Sequence, residues 1–140
     1  MLDCWLQASG RAEDAAVELN PQNVVYQGRI LVSVIDLVPA MLAHLKRKKL
    51  SFVSDNARNE LTAWLHGAID RAGLLSDGQF IAKEEFKGSG FTGNGGIARF
   101  RNTLWAAAFS KKKLPKLGPE KIADKATLAR AKVNRVIYAD

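Results

Sequence analysis

The stretch VVYQGRILVSVIDLVPAMLAHL, residues 24–45, decides the fold. Its many β-branched residues favour a strand. Its spacing says otherwise. Val24, Gly28, Leu31, Ile35, Val38, Leu42 and Leu45 recur at alternating intervals of four and three, and all but Gly28 are large and apolar. That is the signature of one helical face. The reading taken is helix, with Pro39 kinking or breaking it because proline removes an amide donor and crowds the preceding turn. The stripe is expected to be buried within the domain. Its alternative use is as a seam between copies. The run Lys46-Arg47-Lys48-Lys49 then falls in the last turn, where cations meet the negative end of the helix dipole.

Working outward, residues 2–19 have helical spacing interrupted at Ser9-Gly10, and Asn20-Pro21 ends the element. Residues 54–73 are the clearest helix. Ser54 or Asp55 caps it, Ala57, Leu61, Trp64, Leu65, Ala68, Ile69 and Ala72 share a face, and Gly73-Leu74 matches a left-handed end. Ser76-Asp77-Gly78 reads as a turn, and residues 80–87 as a short strand or extended loop. Residues 88–96, GSGFTGNGG, read as a glycine-rich loop, with Gly93-Asn94-Gly95 as a possible hairpin turn. Ile97, Phe100, Leu104 and Ala108 mark a further helix, closed by Lys111-Lys112-Lys113. Residues 118–138 form the last, with Pro119 at its first position. The expected architecture is mainly α: one small domain, residues 1–140, of four to five helices with a glycine-rich loop, and a possible short hairpin, around residues 78–96. Residues 1–19 are expected as an acidic helical segment that can dock as an appendage.

Charge is distributed unevenly. Of 21 basic and 14 acidic side chains, the first 40 residues hold Arg11 and Arg29 against Asp3, Glu13, Asp14, Glu18 and Asp36, so the net charge of +7 arises entirely downstream of a net-acidic beginning. A basic surface attracts polyanions, because each Lys or Arg that meets a phosphate releases a condensed counterion. The last helix sharpens the point. Ile122, Ala126, Ala129, Val133 and Val136 form an apolar stripe, and one residue earlier run Lys121, Lys125, Leu128, Lys132 and Arg135. At roughly 1.5 Å rise per residue the four cations make a line about 20 Å long. A solvated helix flank is the plainer explanation of the same pattern, and Glu120 and Asp124 offset part of it.

The glycine-rich segment has Lys87 before it and Arg99 and Arg101 after it, with Phe91 its one aromatic. Glycine backbone approaches phosphates closely, and an aromatic in such a loop can stack on an unpaired base. The segment matches neither a Walker nor a dinucleotide-binding pattern, and a mobile connector explains it as well. Lys46, Arg47, Lys48 and Lys49, and Lys111, Lys112, Lys113 and Lys116, are the densest positive clusters. Together with the loop and the helix stripe they form the candidate nucleic-acid-binding set, provided they share a face.

Signals for catalysis are weak. His44 and His66 lack metal-ligand neighbours in sequence and read as structural. Glu84-Glu85 beside the glycines is the only acidic pair suited to a divalent ion, yet adjacent residues on a strand point to opposite faces. Cys4, Trp64 and Trp105 read as core. The single cysteine closes no intramolecular disulfide and fits a reducing, intracellular setting, cytoplasmic or nucleoid-associated. The amino-terminal residues lack a secretory pattern, and residues 24–45 are too interrupted by Arg29, Asp36 and Pro39 to span a membrane.

The expectation is a non-catalytic protein that binds the nucleic-acid backbone with weak sequence specificity and no cofactor. Single strands are slightly favoured over duplex because of Phe91, homo-oligomers are possible, and no membrane partner is expected. A viral or plasmid accessory protein would behave so. The alternative is an adaptor or inhibitor docking on acidic protein through the basic face. The third reading is a small metal-dependent nucleic-acid-processing enzyme using Glu84 or Glu85.

Overall fold

A computed structural model describes residues 2–11 and 24–139. Among these the chain is mainly helical, with seven α-helices and one two-stranded antiparallel hairpin. The helices are α1 (Leu2–Ala8), α2 (Gly28–Ile35), α3 (Val38–Lys48), α4 (Asp55–Arg71), α5 (Lys83–Gly88), α6 (Gly93–Ala108) and α7 (Pro119–Ile137), and the strands are β1 (Leu75–Ser76) and β2 (Gln79–Phe80). The four-to-five-helix expectation falls short because residues 24–45 divide and residues 83–88 are helical.

The deciding stretch is helical, as its spacing predicts. After one 3-10 turn, Val24–Tyr26, it forms α2 and α3, bent by 40° at Asp36-Leu37. Pro39 sits in the first turn of α3, where no intrahelical amide bond is lost. The buried face only partly matches the predicted stripe, of which Val24 and Leu45 are buried. Ile30, Val34, Leu37, Met41 and Leu45 face the core, whereas Ile35 and Leu42 are exposed. Ser33 is buried too, its hydroxyl donating to the Arg29 carbonyl. Apolar residues occupy both faces at the same interval, so spacing alone does not choose between them.

Helix α4 follows its expected boundaries. The Ser54 hydroxyl accepts from the Ala57 amide at 3.1 Å, and the Leu74 amide donates back to the Ile69 carbonyl at 3.1 Å beyond Gly73 at φ +75°. That pairing satisfies carbonyls otherwise orphaned at the helix end. Asp77 and Gly78 both have positive φ, as a two-residue hairpin turn requires. The hairpin therefore lies at residues 75–80 and not at Gly93-Asn94-Gly95, which form the first turn of α6. Residues 80–87 are corrected likewise. Ala82 is the extended cap of α5, Glu84 and Glu85 occupy its positive end, and Phe86 anchors it.

The core gathers α1, α4, α6 and α7 around an aromatic cluster. Phe80, Phe86, Phe91 and Phe100 touch one another edge-on or tilted at 5.3–6.4 Å, and Trp5 meets Phe80 at 5.7 Å. Trp5 is wholly buried and its indole donates to the Val25 carbonyl, so α1 is part of the core rather than an appendage. The rest of the expected acidic segment, and Asn20-Pro21, lie outside the described residues. No single helix among the described residues is long and apolar enough to cross a membrane.

Candidate nucleic-acid interface

The basic clusters meet where helices end. Lys46, in the last turn of α3, donates to the carbonyls of Val136, Ile137 and Ala139 at 2.8–3.3 Å, clamping the end of α7. The Arg47 guanidinium lies 5.4 Å from the centre of the Phe109 ring, just past the end of α6. The carboxyl-terminal ends of α3, α6 and α7 therefore converge. Three negative dipole ends gathered in one place favour cations around them. Part of the positive charge there is thus explained by the fold itself.

The sequence brings more charge than that requirement consumes. Lys48 lies 3.8 Å from Glu60, which also bonds His44 at 2.9 Å. Lys46 and Arg47 are engaged as described. The exposed side chains of Lys49, Lys111, Lys112, Lys113, Lys132 and Arg135 have no hydrogen bond or ion pair among the described residues. Lys111–Lys113 are held in place from both sides. The Leu114 amide donates to the Arg71 carbonyl at 2.8 Å, and Arg71 Nε donates to the Ala107 carbonyl at 3.0 Å. Burial pushes the Arg71 pKa down, and neighbouring Asp70 pushes it up.

Along α7 the sequence pattern holds. Ile122, Ala126, Ala129 and Val133 are buried, and Lys121, Lys125, Leu128, Lys132 and Arg135 are exposed beside them. At 3.6 residues per turn the cationic row lies about 100° from the buried row, and Glu120 about 100° further round. The row ends at the converging helix termini, because Arg135 precedes the Val136 whose carbonyl Lys46 holds.

The glycine-rich segment behaves differently from its sequence reading. Only residues 89–92 lie between α5 and α6. Gly96 is pressed against this turn, and a Cβ there would come within 2.6 Å of the Phe91 carbonyl carbon. Phe91 is 7% exposed and packed on Phe86 and Phe100, so its ring is a core element and has no free face for a base. Arg99 and Arg101 do not act together. Two positions apart on α6, they point about 200° apart around the helix. Arg101 turns to Asp36, its Nε at 4.0 Å, too far for a hydrogen bond and buried without an acceptor. Arg99 turns to a separate cleft of about 520 Å³, which Lys116 also lines. Lys87 is exposed on α5.

Comparison with protein-family models, with curated proteins and with solved structures returns no match. Function therefore rests on geometry alone.

The groups read as structural are accounted for. His66 Nδ1 donates to the Ala8 carbonyl at 2.9 Å. Cys4 is buried with its thiol 3.7 Å from the Arg58 carbonyl. Trp105 is buried, and its indole donates to Asp36 at 2.8 Å beneath the Arg130 guanidinium. Asp36, missed in sequence, is a hub: Trp105, Arg130 and Arg101 all turn to it from α6 and α7. A carboxylate at a helix break opposite two arginines was its only signal. Glu84 and Glu85 are exposed in the first turn of α5, and among the described residues no three of His, Cys, Asp and Glu converge on a point.

Proposed function

We propose that this chain binds the phosphate backbone of nucleic acid and performs no chemistry on it. One observation carries the reading: six cations without partners surround the converging ends of α3, α6 and α7, and the α7 row runs into them through Lys132 and Arg135. On this reading, residues from α3, the segment after α6, and α7 supply the phosphate contacts together. Contacts of this kind position a protein on a strand without reading its sequence. Since Phe91 is buried, the argument for single strands over duplex is withdrawn.

The test is affinity for short single-stranded RNA, single-stranded DNA and duplex DNA over a salt series. Steep loss of affinity with salt is expected, about 0.7–0.9 log units per log unit of salt for each phosphate neutralised. Absence of binding at low salt would end the proposal.

A second reading is favoured by the outward face of α2 and α3. Val32, Ile35 and Leu42 are 53%, 55% and 41% exposed. They suit a protein-binding or self-associating surface. Gel filtration with light scattering of the wild type and of Ile35→Ser/Leu42→Ser separates this from the first reading: a monomer in both cases removes self-association.

A further inference from the structure

The cleft beside Arg99 lies apart from the converging helix ends and is built differently. Its volume of about 520 Å³ falls within the range of ~300–1,000 Å³ usual for small-ligand sites. Leu74, Phe91, Leu114, Pro115 and Leu117 supply the apolar part of its lining, and much of the remainder is polar. Two cations line it, Arg99 and Lys116, and none of the lining residues is acidic.

Arg99 lies close to the turn that precedes α6. It is partly buried, and its Nη1 would lie 3.2 Å from a Cβ placed on Gly90, so the guanidinium rests against the turn backbone. Gly90 has φ +80°, a conformation that favours glycine, and the missing side chain leaves the space the guanidinium fills. Arg99 has no hydrogen bond or ion pair among the described residues. A planar fork of donors without an acceptor is suited to the paired oxygens of a phosphate.

The cleft also offers acceptors. The Ser89 and Thr103 hydroxyls line it, and each spends its proton on its own helix, to the carbonyls of Glu85 and Arg99 at 2.9 and 2.7 Å. Their remaining lone pairs accept from a ligand's N–H or O–H groups. A phosphate, a flat apolar body and peripheral donors are together the chemistry of a nucleoside monophosphate.

We propose that this cleft binds one nucleotide, its phosphate on Arg99 and Lys116 and its base against the apolar wall. The site does not depend on the polyanion surface proposed above, and it holds a single unit rather than a strand. Two sources supply that unit: a free nucleotide, or the 5′-phosphorylated end of a strand.

The test is titration of the full chain with AMP, adenosine and inorganic phosphate, and with a dinucleotide bearing either a 5′-phosphate or a 5′-hydroxyl. AMP is expected to bind at least tenfold tighter than adenosine or phosphate alone. Arg99→Gln is expected to lose at least tenfold, and Lys116→Gln, an exposed change with no part in folding, several-fold. Tight binding of the 5′-phosphorylated dinucleotide, against weak binding of its hydroxyl form, identifies a strand end, and binding of AMP alone identifies a free nucleotide. AMP binding no tighter than adenosine, or wild-type affinity in both variants, overturns the site. Failure of long unphosphorylated oligonucleotides to bind counts only against the polyanion surface.

Discussion

Two side chains show how a residue's chemistry and its use diverge. Phe91 lies among glycines, the setting of a base-stacking aromatic, yet its ring completes the Phe80–Phe86–Phe100 cluster. Phe91→Ala should therefore destabilise the fold by about 3–5 kcal/mol, the cost of deleting a buried ring. Urea unfolding measures this, while the affinity of the folded fraction for oligonucleotides without a 5′-phosphate stays unchanged. Lys46 belongs to the densest cationic run, yet its ammonium is spent on three carbonyls of α7. Lys46→Met should cost about 1 kcal/mol in stability. It should also reduce polyanion affinity less than Lys112→Met does, which competition binding at fixed salt would reveal. Ser54→Ala should cost about 1 kcal/mol through loss of the α4 cap. The Ser54 cap was legible because its partner is three residues away, whereas Lys46 looks like its cationic neighbours because the carbonyls it holds lie 90 to 93 positions along the chain.

At the scale of elements, legibility follows length and polarity. Helices α4 and α7 were readable to within a residue or two because each alternates one apolar face with polar ones over several turns. Helix α5 was not, because six residues do not complete enough turns to show a period. In α2 and α3 the type was readable and the face was not: Ile30, Val34, Leu37 and Met41 repeat the interval of Leu31, Ile35, Val38 and Leu42, one position earlier. The α7 cations were legible as a row, but their meeting with the ends of α3 and α6 depends on packing that spacing does not encode. If the row contacts phosphates, Lys125→Gln/Lys132→Gln should lower the salt slope by about 1–2 and weaken all sequences alike. An unchanged slope would place the contacts elsewhere. The same substitutions should leave stability within about 0.5 kcal/mol, since both side chains are exposed.

For the whole molecule, the converging ends of three helices carry Lys49, Lys111, Lys112, Lys113, Lys132 and Arg135 without partners among the described residues. Should Glu13, Asp14 and Glu18 shield this end, Glu13→Gln/Asp14→Gln/Glu18→Gln tests it, whereas deletion of the segment would remove the buried Trp5. Tighter polyanion binding supports shielding, and equal or weaker binding rejects it. That same end also contains its own optical probe. Trp64 stacks on His44 at 5.3 Å and meets Phe109 edge-on at 6.1 Å, and the Phe109 ring carries the Arg47 guanidinium. An indole's excited state is sensitive to nearby charge, so an anion drawing Arg47 away changes the colour and yield of its emission. Unlabelled protein thus reports, by its own fluorescence, what settles on its basic end.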